Sequence, residues 1–186
     1  MTFRAFISAD IVPSPELVDL LTALNRTGGD LKVVKPQLMH VTLKFLGDAD
    51  EALVDDIVVA MTEAVKPCAP FKVTLKGMGA FPSMSNIRVV WVGMEDAQTL
   101  GLIASGLDAL LLPHGFARDE KGFKPHLTIA RARSESGATR VHELIRQHAI
   151  TVFGEHVVDR ILLKKSVLGP RGPTYSTVRE VPLGGQ

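Results

Sequence analysis

The two stretches that decide the fold read His-Val-Thr-Leu-Lys-Phe at residues 40–45 and His-Leu-Thr-Ile-Ala-Arg at residues 126–131. Each places a histidine two residues before a threonine, inside an apolar run that alternates as a β-strand does. Side chains at positions i and i+2 of a strand leave the same face of the sheet. Each stretch therefore predicts a strand that presents an imidazole and a hydroxyl on one face and aliphatic side chains on the other.

His40, Thr42, His126 and Thr128 together supply the groups of an acid–base site. Histidine is the side chain whose ordinary pKa, about 6.5, allows it to give or take a proton near neutral pH. Zinc sites usually require three or four His, Cys or carboxylate ligands, and the two stretches offer no neighbouring carboxylate. The pattern thus favours a catalytic pair without metal or cofactor. On pattern alone, two unrelated strand histidines remain open, with threonines chosen for their β-branched shape.

The flanking residues make the pattern more specific. The first stretch extends to His-Val-Thr-Leu-Lys-Phe-Leu-Gly at 40–47, and the second to Phe-Lys-Pro-His-Leu-Thr-Ile-Ala-Arg at 123–131. With these flanks the chain resembles the two-histidine (2H) phosphoesterases, specifically the RNA 2′,3′-cyclic phosphodiesterases, also called 2′-5′ RNA ligases. The resemblance runs from the strand at residues 3–7 to Arg-Gly-Pro-Thr-Tyr at 171–175, and the separation of the histidines suits that family.

The resemblance implies a mechanism for these four residues. His40 is expected to act as general acid and His126 as general base, opening a 2′,3′-cyclic phosphate to a 2′-phosphate. Thr42 and Thr128 are expected to hold the non-bridging phosphate oxygens. The same groups would serve the reverse reaction, ATP-independent 2′-5′ ligation to a 5′-hydroxyl.

Three further residues are candidates for substrate binding. Phe45 and Arg131 each lie five residues after a motif histidine, so they are counterparts in the repeat. Strict alternation points both away from the histidine face, with Phe45 in the core, unless the strands bulge near their ends. An aromatic ring and a guanidinium plane can sandwich a base. Tyr175 is expected at the edge of the cleft. The remaining histidines are expected to be solvated or structural.

The composition bounds the class of protein. With 186 residues, of which 46% are hydrophobic, the chain fits a single bilobal domain spanning 1–186. No apolar run approaches the roughly 20 residues that cross a bilayer, and no signal peptide is recognisable. One cysteine, Cys68, suits a cytoplasmic protein and is expected to be an inert packing residue. A net charge of +1 is too small to hold a long duplex, so a gripped RNA terminus is the expected partner.

The element order predicts an α+β fold with two pseudo-symmetric, mostly antiparallel sheets, helices packed on the outside and a central cleft. Helices are expected at about 13–27, 51–66, 97–112 and 139–148. Besides the motif strands, strands are expected at 3–9, 31–34, 71–75, 87–92, 157–167 and 174–181, with a loop at 77–86.

Three functions are consistent with the sequence. The first is hydrolysis of cyclic phosphates at RNA 3′ ends, tRNA-derived ends included, by a monomer. The second is a cyclic phosphodiesterase for a small nucleotide such as ADP-ribose 1″,2″-cyclic phosphate. The third is a non-catalytic RNA-end-binding protein, which the four intact catalytic-type side chains disfavour.

Overall fold

A computed structural model describes residues 1–134, 137–170 and 172–184. Arg171, in the terminal segment that carries the resemblance, lies outside these ranges. The helices are α1 (Pro15–Arg26), α2 (Val54–Val65), α3 (Gln98–Leu111) and α4 (Ala138–Gln147). The strands are β1 (Thr2–Asp10), β2 (Leu31–Val33), β3 (His40–Asp50), β4 (Phe71–Ser83), β5 (Asn86–Glu95), β6 (His126–Ala132), β7 (Val152–Val158), β8 (Arg160–Gly169) and β9 (Gly172–Pro182).

The strands form two sheets with related topologies. One has the order β3-β1-β8-β9 and the other β2-β6-β5-β4-β7, and each adjacent pair with a defined register is antiparallel. The first motif strand, β3, pairs with β1 as the second, β6, pairs with β5. Helices α2 and α3 pack on the first sheet, and α1 and α4 on the second. The predicted α+β architecture with two mostly antiparallel sheets is confirmed.

Side chains cap the start of α1 and of the 3₁₀ turn that precedes α2. Ser14 caps α1 by accepting a hydrogen bond from the Leu17 amide at 3.1 Å, and Pro15 occupies the first turn. Asp50 accepts a hydrogen bond from the Ala52 amide at 3.1 Å. A short 3₁₀ turn at Glu51–Leu53 follows before α2 begins, so the helix starts three residues later than predicted.

The predicted loop at 77–86 is wrong, because β4 continues to Ser83 and only a tight turn separates it from β5. The glycines that suggested a loop serve the strand itself. Gly77 has φ +72° at a shift in register, and a Cβ on Gly79 would lie 2.1 Å from the Trp91 ring. A strand can contain glycine where a bulge or a closely approaching group requires it.

The single strand predicted at 157–167 is wrong, because this segment holds the end of β7 and most of β8, which belong to different sheets. The chain changes sheet at Asp159, a single residue between them. Residues 161–164 are all buried because β8 is an interior strand covered on both faces. Such a strand loses the alternation that marks strand boundaries in sequence.

A continuous cluster of buried apolar side chains lies between helices and sheets. It includes Cys68, whose thiol pKa is raised by burial. Within the described residues, no helix combines the length and apolar character needed to cross a membrane. That residues 1–186 fold as one domain stays a prediction.

The contact between Gly79 and Trp91 can be tested by a pair of alanine substitutions. Gly79→Ala should lower the free energy of unfolding by about 1–3 kcal/mol, because the added methyl overlaps the indole ring. Gly101→Ala, in the first half of α3, should raise it by up to about 1 kcal/mol, since a Cβ there meets no atom closer than 4.0 Å. Urea unfolding monitored by circular dichroism measures both. Equal effects of the two substitutions would contradict the expected overlap.

Candidate active site

The two motif strands have the same pattern of burial over their first six residues. In β3 and in β6 the histidine and threonine are partly exposed, the residue between them is buried, and two consecutive buried residues follow before an exposed one. Two consecutive buried residues break strict alternation. The interruption falls at the same place in each strand, directly after the threonine.

The strand registers identify this interruption as a bulge. Thr42 is opposite Ser8, but the next pair is Lys44 with Ile7, so Leu43 is the extra residue. The Lys44 side chain accordingly points away from the motif face and is buried against Asp108 of α3, to which it is ion-paired.

The second bulge matches the first. Thr128 is opposite Trp91 and Ala130 is opposite Val90, which leaves Ile129 as the extra residue. One additional residue reverses the facing of all side chains that follow it. Each bulge therefore changes the face of the sheet on which the residue five positions after the histidine lies.

Phe45 and Arg131 are returned by these bulges to the face that carries the histidines. Phe45 lies opposite Phe6, and Arg131 lies opposite Val89. Phe45 is 69% exposed. The expectation from strict alternation, with Phe45 in the core, is wrong, and the alternative that a bulge re-aims both residues is confirmed.

Each motif histidine is oriented by a hydrogen bond to the chain just before it. Nδ1 of His40 lies 2.8 Å from the Leu38 carbonyl oxygen, and Nδ1 of His126 lies 2.7 Å from that of Lys124. A carbonyl only accepts, so Nδ1 carries the hydrogen in both rings. Nε2 is then a lone-pair base in the neutral ring and an N–H acid in the charged ring.

Aromatic rings pack beside both imidazoles. The Phe6 ring centroid is 5.1 Å from that of His40, and the Tyr175 ring meets His40 edge-on at 5.2 Å. On the other sheet, Phe81 meets His126 edge-on at 5.0 Å. These contacts restrict rotation of the imidazoles, and they place the predicted residue Tyr175 directly against His40.

Charged groups surround His40 from several strands. Its pKa is lowered, first by burial and then by the charges of Lys164 and Arg131, while the Leu38 carbonyl and Asp10 oppose the shift. Lys164 is only 7% exposed, and its Nζ lies 2.6 Å from an Asp10 carboxylate oxygen. Asp10 is opposite His40 on the adjacent strand.

Arg131 links the two sheets electrostatically. It belongs to β6, yet its guanidinium lowers the pKa of His40 on β3. It also partly offsets the burial that raises the pKa of Tyr175 on β9. Strands β3 and β6 are also in contact, so groups from both sheets meet at one cleft, as the repeated motif predicts.

The two halves of the cleft differ outside the motif residues. Opposite His40 and Thr42 lie Asp10 and Ser8, whereas opposite His126 and Thr128 lie Gly93 and Trp91. The Ser8 hydroxyl and the Trp91 indole N–H are both buried and have no hydrogen-bond partner in the described part of the chain. The motif residues are related by pseudo-symmetry, but their surroundings are not.

Several of these residues were not predicted from the sequence, among them Phe6, Phe81, Trp91, Asp10 and Lys164. For Phe6 and Asp10 the sequence does hold a signal, because strand alternation places both on one face of β1. The other histidines lack the motif environment. His114 pairs with Asp56 at 3.4 Å, and His148 contacts Thr151 and Phe153.

The donors at this cleft do not form a metal-binding set. Across residues 1–134, 137–170 and 172–184, no three His, Cys, Asp or Glu side chains are grouped closely enough to hold an ion. Cys68 is buried in the core cluster, away from both motif strands.

Two antiparallel sheets, each with one His-x-Thr strand at a shared cleft, are the arrangement that the resemblance to the two-histidine phosphoesterases implies. Comparison with solved structures agrees with this class. A crystal structure of TT0787 from Thermus thermophilus superposes with a TM-score of 0.79 at 27% identity, covering 98% of this chain and 99% of that one. Escherichia coli LigT complexed with 3′-AMP has the same fold, with a TM-score of 0.75 at 20% identity over 98% of this chain and 99% of that one.

Sequence comparisons identify the family. A family model described as the 2′-5′ RNA ligase superfamily matches residues 13–164. An RNA 2′,3′-cyclic phosphodiesterase of Aquifex aeolicus is 38% identical over 84% of this chain and 86% of its own length. One of Archaeoglobus fulgidus is 34% identical over 95% of this chain and 98% of its own length. The chain belongs to the 2′-5′ RNA ligase superfamily.

The electrostatic influence of Lys164 on His40 gives a testable prediction. Lys164→Met should raise the pKa of His40, because it removes a cation that opposes imidazole protonation and leaves the Asp10 carboxylate unpaired. An NMR titration of the imidazole carbon-bound protons measures the change, with the His40 signal assigned from a His40→Gln spectrum.

Lys165→Met is the matched control for this titration. Lys165 is the next residue along β8, and its Nζ lies over the Phe3 ring at 5.5 Å. Removing that charge should leave the His40 titration close to wild type. A His40 pKa unchanged by Lys164→Met, or raised equally by both substitutions, would rule out a specific effect of Lys164.

Proposed function

We propose that this protein hydrolyses the 2′,3′-cyclic phosphate at RNA 3′ ends to a 2′-phosphate, using His40 and His126 as an acid–base pair without metal. The observation that supports this proposal most directly is the matched pair of Nδ1–carbonyl hydrogen bonds. They leave both Nε2 atoms free for proton transfer at one cleft. Relatives named RNA 2′,3′-cyclic phosphodiesterase, at 30–38% identity over most of the chain, support the same reaction.

In the proposed step, Nε2 of neutral His126 takes a proton from water while the water oxygen forms a bond to phosphorus. The bond from phosphorus to the ribose O3′ breaks, and Nε2–H of charged His40 protonates that oxygen. The products are a 2′-phosphate and a 3′-hydroxyl, with the proton moved from one imidazole to the other.

The family resemblance is the basis for assigning His40 as the acid and His126 as the base. The pKa of His40 is relevant to this assignment. Burial lowers the pKa of His40, so the neutral form is favoured in the free protein. A bound phosphate adds negative charge beside the ring, which favours the imidazolium. Substrate binding would therefore charge His40 at the moment when an acid is needed.

Thr42 and Thr128 are proposed to hold the non-bridging oxygens of the phosphate. Each shares a strand face with its histidine and is partly exposed, so the hydroxyl is accessible to a ligand. Hydrogen bonds that strengthen as charge builds on these oxygens stabilise the transition state.

Phe45, Arg131 and Tyr175 are proposed to bind the substrate nucleotide. Both bulges direct Phe45 and Arg131 to the motif face, from opposite sheets, where ring and guanidinium can enclose a base. Tyr175 borders the cleft beside His40. With a net charge of +1, affinity would come from these contacts at an RNA end, tRNA-derived ends included, more than from long-range charge. We propose that the protein acts as a monomer.

The histidines can be tested by alanine substitution. His40→Ala and His126→Ala should each lower kcat on a cyclic-phosphate oligonucleotide by about 10²- to 10⁴-fold, because each removes a proton-transfer partner. His142→Ala, on α4, is the control and should retain wild-type turnover. The assay is run with and without EDTA, and identification of the product as the 2′-phosphate checks which bond breaks. Loss of wild-type activity in EDTA, restored by a divalent ion, would contradict the metal-free mechanism.

A sulfur-substituted substrate distinguishes the acid from the base. When sulfur replaces the bridging 3′ oxygen, the leaving group departs as a thiolate and needs no proton. His40→Ala should then recover most of the lost rate, whereas His126→Ala should stay impaired. Recovery of the rate by His126→Ala instead would make His126 the acid and His40 the base, and the proposed reaction would be unchanged.

The role of the threonine hydroxyls can be tested by substitution with valine. Thr42→Val and Thr128→Val keep the β-branched shape and should each lower kcat. Loss of one oxyanion donor costs about 2.7–4 kcal/mol in other enzymes. The melting temperature should barely change, since both side chains face the cleft. Wild-type kcat in both variants would show that the threonines serve only the strand.

A further inference from the structure

The surface beside His126 is aromatic. The Phe81 ring touches the His126 ring edge-on, and the Trp91 ring lies 5.3 Å from Phe81. Trp91 is also directly opposite Thr128 on the adjacent strand. Adjacent strands are about 4.8 Å apart, so a phosphate held by Thr128 would lie next to this pair of rings.

One face of the Trp91 ring lies on the backbone of Gly79. A Cβ built there would lie 2.1 Å from Cζ2, 2.3 Å from Cη2 and 2.7 Å from Cε2. The indole is thus packed flat on the sheet at a position where a side chain would displace it. Its opposite face is turned away from the strand backbone, and the residue is partly exposed. A rigid ring with one packed face is the geometry on which nucleobases stack.

In the other sheet, the positions opposite the motif residues are not aromatic. The position opposite Thr42 is Ser8, and the one opposite His40 is Asp10, which is ion-paired with Lys164. Rings pack on both imidazoles, Phe6 and Tyr175 on His40 and Phe81 on His126. The two halves differ at the position opposite the motif threonine, which is Ser8 in one sheet and Trp91 in the other. In the proposed mechanism His126 is the residue next to the incoming nucleophile.

We propose that Trp91 and Phe81 form a subsite that stacks a second nucleobase, distinct from the base enclosed by Phe45 and Arg131. This inference rests on the proposed function. The second base can belong to the nucleotide upstream of the cyclic phosphate, or to a strand whose 5′-hydroxyl attacks in ligation. Both sources present the same planar ring to the same surface.

Intrinsic fluorescence reports directly on this subsite, because Trp91 is the one tryptophan of the chain. A dinucleotide ending in a 2′-phosphate should quench the emission at saturation more strongly than the corresponding mononucleotide 2′-phosphate. Quenching by a free nucleoside, added after the mononucleotide has saturated its site, would assign the subsite to the 5′-hydroxyl strand. Equal quenching by mononucleotide and dinucleotide, with no response to the nucleoside, would overturn the inference.

Kinetics separate stacking from a structural role of the ring. Wild type should have a higher kcat/KM for a cyclic-phosphate dinucleotide than for a cyclic mononucleotide. Trp91→Leu should reduce this ratio by about 5-fold or more, the effect of losing one base–aromatic stack. Trp91→Phe, which keeps a ring, should preserve most of it. Equal losses on both substrates would indicate only a structural role.

Phe153→Leu serves as the matched control for lost packing. Phe153 is a buried aromatic of the same sheet, and its ring contacts His148. Its replacement should leave the substrate ratio unchanged even if the melting temperature falls. A wild-type protein that hydrolyses neither substrate would refute the proposed function itself, whereas hydrolysis of both with a ratio insensitive to Trp91→Leu would refute the second subsite alone.

Discussion

The composition of the cleft depends on one extra residue in each motif strand. If Leu43 and Ile129 were paired regularly and not bulged, alternation would direct Phe45 and Arg131 to the helix-covered face. With the bulges, the faces are exchanged after the threonines, and Lys44 is directed inward to its ion pair with Asp108. Because both bulges fall at the same point of the repeat, the two sheets supply side chains to the cleft at matching positions.

A pseudo-symmetric site must also be unequal if one imidazole is to give a proton while the other takes one. The Nδ1–carbonyl bonds make the two rings equivalent in orientation. The difference arises from the neighbouring strands, where Asp10 and Lys164 accompany His40 and Gly93 lies opposite His126. In the proposed mechanism the matching local motifs carry the proton transfer, and the neighbouring strands make the surroundings of the two imidazoles unequal.

The sequence was sufficient for the sheet class, the helices and the placement of both His-x-Thr strands, because these depend on local periodicity. The sequence was insufficient for features that depend on contacts between residues far apart in the chain. In the sequence Gly79 is typical of a loop, but in the structure it leaves room for the Trp91 ring of the neighbouring strand. The switch of sheet at Asp159 is not visible in the sequence, because residues 161–164, which follow it, are all buried and show no alternation. The pairing of Lys164 with Asp10 joins residues far apart in the chain, which no periodicity reveals.

The matched orientation of the two imidazoles has a consequence for reversibility. After one proposed turnover the proton has moved from His40 to His126, and the reverse reaction begins from that arrangement with acid and base exchanged. Microscopic reversibility requires each ring to perform the other's task on the way back, and two rings held alike through Nδ1 are equally equipped for it. In the proposed mechanism, the occupant of the position beside His126 determines the product, since water would give a 2′-phosphate and a 5′-hydroxyl would give a 2′-5′ linkage.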